Sequence, residues 1–468
     1  MDVSEKNFIF YDLETSGLSK QFDQILQFGA ILTDGELKEI DRLEVRCRLQ
    51  THIIPSPRAL QVTRVSPSSL VDESLPTHYQ AIRSIYKKLS SWSPAIFFGY
   101  NSISFDEEFL RQAFYQTLHP CYLTNTNGSS RGDILRLMHA VHILAPDTIS
   151  PVYDGKGRAR FMLDQLAPKN GFPHLQAHDA MADVEATIYL AKRVLDEVPH
   201  VWDMLLATGD KRGVQDMLSS HEVLVLCGGN QGGTMSGNMV TSCGINPLMQ
   251  NQHGVFDLNH DPEKYFGLDT ESLRTVMGSK KSPIRKVYTN RQPILVPMDD
   301  TPEHVLPSDM TSEDLTAKAR LIRKNTDFRL RVSEAMVDES YSEEETLDEV
   351  ELQIYEGFVN RTDASLMEKF HHASGENKIE VLRGLEDLRM KRLAQRLLYF
   401  EYPELLSDKV KSAMKDKIQK RLTVSEEVPW RTVDKARAEL ESLGDHMIGS
   451  EGEKFVQDYQ SLLDSCEE

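Results

Sequence analysis

The chain has 468 residues, with 53 Lys and Arg against 72 Asp and Glu and a formal charge of −19. Hydrophobic residues make up 40% and charged residues 27%, a globular composition that excludes wholesale disorder, a collagen and a disulfide-stapled miniprotein. At about 150 residues per domain, the length fits about three domains. Phe8 to Glu14 reads as a strand and Thr15-Ser16-Gly17 as its turn. Ile25 to Leu32 and Leu43 to Leu49 read as two more strands of a meander. Tyr79 to Leu89 has the apolar spacing of a helix. Ile96 to Tyr100 is a short buried strand, followed by a helix over Phe105 to Tyr115. Helices over Phe161 to Leu166 and Ala177 to Leu195 complete an α/β domain with a mixed sheet over residues 1–200.

Residues 201–345 change character. The apolar run Val223 to Leu226 leads into a flexible turn, Gly228 to Gly233. Short β-like pieces recur at Val255 to Leu258, Ile284 to Tyr288 and Ile294 to Val296, before helices that begin after Ser312. This is a small β-rich domain. The acidic stretch Asp338 to Glu351 reads as a solvated linker. Residues 346–468 read as almost all helix, with Leu, Lys and Glu at 3.6 spacing. No fixed-period repeat is present, which excludes solenoids and propellers. No apolar run approaches the ~18–20 residues that cross a bilayer. Met1 to Lys6 carries acids where a secretory leader would carry basic residues. The five cysteines are scattered, odd in number and without CxxC spacing. That argues against structural zinc and for a reduced, cytoplasmic compartment.

The chemistry lies in the acids. Asp12 and Glu14 are two apart on the first strand and so project from one face. Like charges flanked by Phe8, Ile9, Phe10 and Leu13 need a compensating cation, and a hard divalent ion prefers carboxylate oxygens. Read singly, the pair also fits an exposed strand end, Asp106 fits a helix N-cap, and His178 fits a structural histidine. Asp183 follows His178 by five. At about 100° per residue the two would not share a helix face, which puts His178 on the loop or first turn, leaning toward Asp183.

Taken together, Asp-x-Glu, Asp and His-x4-Asp resemble the DEDDh 3′–5′ exonucleases, which have an RNase H-like sheet. The matching stretches are Tyr11 to Gly17, Tyr100 to Asp106 and Ala177 to Asp183. The resemblance sharpens toward the exonuclease I family at Asn170 to His174, Val287 to Leu295 and Leu352 to Phe358. It implies an RNase H-like exonuclease domain over 1–200, an SH3-like domain over 201–345 and a helical exonuclease I domain over 346–468. It further implies two-metal hydrolysis of single-stranded DNA to 5′-mononucleotides, in DNA repair or recombination. The ions would be Mg²⁺, with Mn²⁺ as a substitute. Asp12, Glu14 and Asp183 would be ligands and Asp106 would complete the second site. His178, with an ordinary pKa near ~6.5, would take the proton of the attacking water.

The same resemblance assigns strand contacts to Glu14, Arg111, Arg160, Phe161, Met162, Asn290, Arg291, Tyr355 and Phe358. It departs at Met162, where the family pattern has an Arg directly after the Phe; here Arg160 precedes Phe161 instead. The region Cys121 to Gly132 is also poorer in aromatics. Lys280, Lys281, Arg285, Lys286 and Arg291 run without an intervening acid. Together with Arg389, Lys391, Arg392, Arg396, Lys409, Lys411, Lys415, Lys417, Lys420 and Arg421 they offer a phosphate track or a solvated face. The resemblance also implies a monomer that binds the acidic tail of single-strand DNA-binding protein. An exoribonuclease and a catalytically silent nucleic-acid-binding module remain open, and the silent module would have lost one of the five catalytic positions.

Overall fold

The computed structural model describes residues 7–174, 178–229, 234–337, 349–443 and 450–467. The first sheet contains β1 (Phe8–Thr15), β2 (Ile25–Thr33), β3 (Glu39–Arg46), β4 (Ile96–Gly99) and β5 (Ser130–Asp133), in the order β3-β2-β1-β4-β5. β1 pairs antiparallel with β2 and parallel with β4, so the sheet is mixed. Around it run α1 (Pro57–Val62), α2 (His78–Trp92), α3 (Asp106–Gln116), α4 (Ile134–Leu144), α5 (Leu163–Lys169), α6 (Ala180–Glu197) and α7 (Pro199–Ala207), whereas α8 (Lys211–Ser220) belongs with the second sheet, its Val214 and Leu218 sharing a core with Leu224, Val240 and Val255.

Strand alternation decides the packing. Phe8 and Phe10 join one core with Met138, Val184, Leu190 and Trp202. Ile9, Tyr11 and Leu13 join another with Ile82, Leu89, Phe109 and Phe114. Asp12 and Glu14 continue the Phe8–Phe10 face, beyond the point where apolar side chains fill it. α6 reaches this face because Gly29, the β2 partner of Asp12, leaves room: a Cβ there would stand 2.8 Å from the Met181 nitrogen. The β1–β2 register shifts between Glu14 and Thr15, a bulge-like break of the kind that re-aims side chains beside functional sites.

Several predicted elements move. The third strand runs Glu39–Arg46 rather than Leu43 to Leu49, because ladder pairing with β2 ends at Arg46 while the apolar alternation runs on to Leu49. Phe161 is not helical: α5 starts at Leu163, after a two-stranded hairpin of β6 (Val152–Tyr153) and β7 (Ala159–Arg160). α6 begins at Ala180, and Ala177 lies outside the described residues. Trp202 of α7 packs edge-on to Phe8 at 5.7 Å and lies 5.3 Å from Phe98. The first core therefore continues past residue 200.

The second sheet is antiparallel throughout: β8 (Leu224–Gly229), β9 (Met235–Ile245), β10 (Gln252–Asp257), β11 (Ile284–Tyr288) and β12 (Ile294–Pro297), in the order β11-β10-β9-β8-β12. β9, its longest strand, was not anticipated. Gly228 and Gly229 belong to β8, and the rest of the expected flexible turn, 230–233, lies outside the described residues. α9 (Glu263–Phe266), α10 (Thr270–Gly278), α11 (Ser312–Lys324) and α12 (Thr326–Ala335) accompany this sheet. The acidic stretch over 338–348 lies outside the described residues. From Val350 the chain is helical, as expected: α13 (Arg361–His372), α14 (Asn377–Gly384), α15 (Leu388–Glu401), α16 (Asp408–Thr423), α17 (Val433–Leu443) and α18 (Ser450–Glu467). These helices close back onto the first domain, where Leu422, Val433 and Tyr459 share a core with Leu26, Ile54 and Leu60. Among the described residues no helix is long and apolar enough to cross a membrane. All five cysteines are free.

Candidate active site

The five predicted catalytic residues come from three elements that meet at the end of β1. Asp12 and Glu14 lie on the strand itself. Asp106 is the first residue of α3, directly after the turn that follows β4. Asp183 lies in the first turn of α6. His178 sits in the turn before that helix at φ +67°, a left-handed backbone that is uncommon for a residue with a side chain and clusters at functional sites. Its backbone N–H donates to Asp183 Oδ1 at 3.3 Å, so it does lean toward Asp183 from outside the helix. Glu14, His178 and Asp183 offer ligand atoms within 4.8 Å of one another.

The acids are short of positive charge. Burial, and then the facing carboxylates of Asp183, Asp106 and Asp179, push Glu14 up to about 9. Burial pushes Asp106 up to about 8, with Asp133 and Asp183 adding to it. Asp12 is raised well above the usual carboxylate range by burial and by Asp106, Asp183 and Glu14. Burial raises Asp183 to about 6, against the pull of His178. Arg46 opposes the rise of Glu14, but its guanidinium is bound to Asp179 at 2.6 Å. A cluster of carboxylates that repel one another and offer only hard oxygen donors fits divalent cations such as Mg²⁺.

Residues 9–191 match the family model described as Exonuclease, and residues 348–462 match the Exonuclease I C-terminal domain. Exodeoxyribonuclease I of Haemophilus influenzae is 27% identical over 449 residues, covering 92% of this chain and 90% of that protein. This chain belongs to the exonuclease I family. Two solved structures share its fold. The structure of E. coli exonuclease I in complex with a dA16 oligonucleotide matches with a TM-score of 0.85 at 24% identity, over 99% of this chain and 100% of that one. The structure of SSB/exonuclease I in complex with the inhibitor CFAM matches with a TM-score of 0.81 at 23% identity, again over 99% and 100%.

The strand contacts implied by the exonuclease I resemblance fall into two groups. Some are already engaged within the fold. Arg111 is buried. It binds Glu107 and Glu108 at 3.0 Å each, donates to the Tyr355 hydroxyl at 3.2 Å and lies over the Tyr122 ring. Arg160 is bound to Asp154 at 2.7 Å. Phe161 is only 6% exposed: its ring is enclosed by His139 and His142, and its carbonyl accepts from the Tyr100 hydroxyl. Burial leaves the Phe161 ring no open face for a strand contact. The others are open. Met162 is 57% exposed and Phe358 87%, with Phe358 5.9 Å from Tyr122. Tyr355 is exposed and donates to Glu108. Asn290 and Arg291 are exposed on the β11–β12 turn, with Arg291 over the Tyr288 ring. Of the basic runs, Arg285 is bound to Asp257, Arg389 to Asp387, and Arg396 and Arg421 to Glu351. Lys280, Lys281, Lys286, Lys409, Lys415, Lys417 and Lys420 are exposed.

Two residues that sequence reasoning left without a role stand beside the acids. His174 Nε2 lies 2.8 Å from Asp183 Oδ1, its side chain almost wholly covered, and burial lowers its pKa. The sequence signal was present, since His174 closes the Asn170 to His174 stretch. Asp133 accepts from the backbone N–H groups of Asn101, Ile103 and Leu135, and so fixes the turn that delivers Asp106. Its own N–H donates to Gln292 Oε1 at 2.7 Å, which ties the second sheet to that turn.

Proposed function

We propose that this chain is a metal-dependent 3′–5′ exodeoxyribonuclease that degrades single-stranded DNA to 5′-mononucleotides. The observation that carries the reading is the convergence of Asp12, Glu14, Asp106 and Asp183 on one sheet end, with His178 beside them and too little positive charge to balance the acids. Asp12, Glu14 and Asp183 would hold one divalent ion and Asp106 would complete a second. Mg²⁺ is the natural occupant and Mn²⁺ a substitute. When bound, such ions lower the pKa of an attacking water and neutralise the departing 3′ oxygen.

The chain's own residues do the rest. His178, held against Asp183 by its backbone, accepts the water's proton. Thr15, Gly17 and Leu18 wall the cavity beside Glu14, where a terminal nucleotide would lie against the scissile end. Phe358 and Tyr355 offer exposed aromatic faces to unpaired bases. Met162, Arg291, Asn290 and the exposed lysines line the approach. We keep three units and move the first boundary from the expected 200 to the end of α7, because Trp202 and Leu205 share the Phe8 core; the antiparallel sheet is then the SH3-like unit up to 345 and the helical unit spans 346–468. We also place the enzyme in the cytoplasm as a monomer, working in repair or recombination and docking the acidic tail of single-strand DNA-binding protein.

The test uses a 5′-labelled single-stranded DNA and its RNA twin, each with Mg²⁺, with EDTA and with Asp12→Ala protein. The expected result is a ladder shortening from the 3′ end on DNA alone, abolished by EDTA and by the substitution. His178→Ala slows turnover by about 10²–10⁴-fold. Cutting of RNA at a comparable rate makes the enzyme an exoribonuclease. Tight binding without cutting makes it a silent binder.

A further inference from the structure

A closed ring of hydrogen bonds joins the C-terminal helices to the turn that follows Glu14. The Arg431 guanidinium donates to Asp23 Oδ1 at 3.4 Å. The same Asp23 oxygen accepts from Ser16 Oγ at 2.9 Å, and Oδ2 accepts from the Ser19 backbone at 2.9 Å. The Ser16 carbonyl accepts from the Ser56 backbone at 2.6 Å. Ser56 Oγ donates to Glu439 Oε1 at 2.6 Å, and Glu439 Oε2 accepts from Arg431 Nε at 3.1 Å, which closes the ring. Ser16, Asp23 and Ser56 are all buried. Gly17 packs so closely on Asp23 that an added Cβ would stand 2.4 Å from its carboxylate oxygen. The turn therefore has little freedom except through Asp23.

The ring borders a cavity of about 640 Å³, lined by Glu14, Gly17, Phe22 and Arg58 on one side and by Trp430 and Lys435 of the C-terminal region on the other. Trp430 is itself anchored. Its ring lies 5.7 Å from Phe22, its indole N–H donates to the Arg421 carbonyl at 2.9 Å, and the Arg421 guanidinium covers it at 4.5 Å. Two routes from the helical region, Arg431 to Asp23 and Glu439 to Ser56, thus converge on Ser16, two residues beyond Glu14.

We propose that Arg431 is a positioning residue for the active site: through Asp23 it holds the Thr15–Ser19 turn and so fixes the Glu14 carboxylate and the adjoining cavity wall. The helical region then does more than grip a strand, because it completes the catalytic end. The proposal rests on the metal-dependent nuclease reading above, and its test separates the two. Full-length Arg431→Ala, Arg431→Lys, Asp23→Asn and the double variant Arg431→Ala/Asp23→Asn are compared by Mn²⁺ titration calorimetry without DNA, by kcat and KM on single-stranded DNA, and by thermal unfolding.

Outer-sphere partners of metal ligands commonly control about 10–100-fold in affinity or rate. Arg431→Ala is expected to weaken Mn²⁺ binding and lower kcat within that range, while strand affinity in EDTA stays near wild type. Arg431→Lys recovers part of both. The double variant is no worse than the worse single one, the signature of residues acting as one unit. Wild-type Mn²⁺ affinity and kcat in Arg431→Ala would overturn the proposal. So would losses that follow the fall in unfolding midpoint with no recovery by Lys. A wild-type protein that binds Mn²⁺ without cutting DNA refutes the nuclease reading, and the titrations alone then decide the role of Arg431.

Discussion

Asp106 and Glu107 are neighbours at the start of α3, and both are buried, yet they meet opposite surroundings. Glu107 turns to the Tyr11 side of β1. There its carboxylate binds Arg111 and Arg131 at 3.0 Å each and accepts from Thr124 Oγ1 at 2.6 Å and the Tyr11 hydroxyl at 3.1 Å. Asp106 joins the Asp12–Glu14 side and meets other acids, and its pKa climbs to about 8. One buried carboxylate is paid for by two arginines, while the other is left for a cation from outside. Glu351, like Glu107, is buried between two arginines, Arg396 and Arg421; at Glu351 the arginines outweigh burial and hold the pKa low. What distinguishes a functional acid here is not burial but the absence of a protein cation to match it.

Substitution breaks this contrast most sharply at Asp106. Asp106→Asn keeps the shape of the side chain and removes its charge from the cation site. Turnover on single-stranded DNA is expected to fall by about 10³-fold, as when one transition-state stabilising group is lost, with the fold retained by circular dichroism. Activity within tenfold of wild type would return Asp106 to a helix-start role. At Glu107 the same scale of energy appears in stability. Glu107→Ala takes the acid from Arg131 and leaves Arg111 with Glu108 alone, and removing one member of a buried pair costs about 3–5 kcal/mol. Denaturant unfolding should show that loss. A change under about 1 kcal/mol would mean that water or Glu108 takes over the arginines.

The acid cluster at the end of β1 was legible because acids inside an apolar strand contradict the packing rule, and contradictions are visible in one dimension. Alternation put Asp12 and Glu14 on one face, their pairing with Asp106 and the His178–Asp183 spacing gave that face its meaning, and His178 was placed outside the helix by counting residues. Asp133 was not legible, since an Asp before a helix looks like an N-cap, and it is one, accepting from the Leu135 N–H. β5 is Ser-Arg-Gly-Asp, with no apolar residue to signal a strand. β9 mixes Met, Ser, Gly, Asn and Cys, so neither alternation nor an apolar run marks it. Phe161 came in through the resemblance alone, and only packing shows His139 and His142 enclosing it. The ring from Arg431 to Ser16 has no local signal, because its members are about 400 residues apart and acquire meaning only by packing.

The smallest expected effect is the pH dependence of the metal-free protein, and its sign follows from the raised acids. Glu14, Asp106 and Asp183 hold protons in the folded state up to about 9, 8 and 6, whereas unfolded carboxylates release them near their ordinary values of 4.5 and 3.8. Between those limits the folded chain binds more protons than the unfolded one, so stability falls as pH rises. Salt-bridged acids such as Asp154, held well below the usual carboxylate range by hydrogen bonds from Arg158, Lys156 and Arg160, add nothing to the slope in this window because they are ionised throughout it. In EDTA the unfolding midpoint should therefore decline from about pH 5 to pH 9. Mg²⁺ binds the deprotonated site, so its stabilisation should grow over the same interval. Asp106→Asn should flatten the EDTA curve and reduce the Mg²⁺ gain together. A midpoint that rises with pH in EDTA would show that the four acids are neutralised from within the chain, as Glu107 is, and the contrast between the two sides of β1 would be lost.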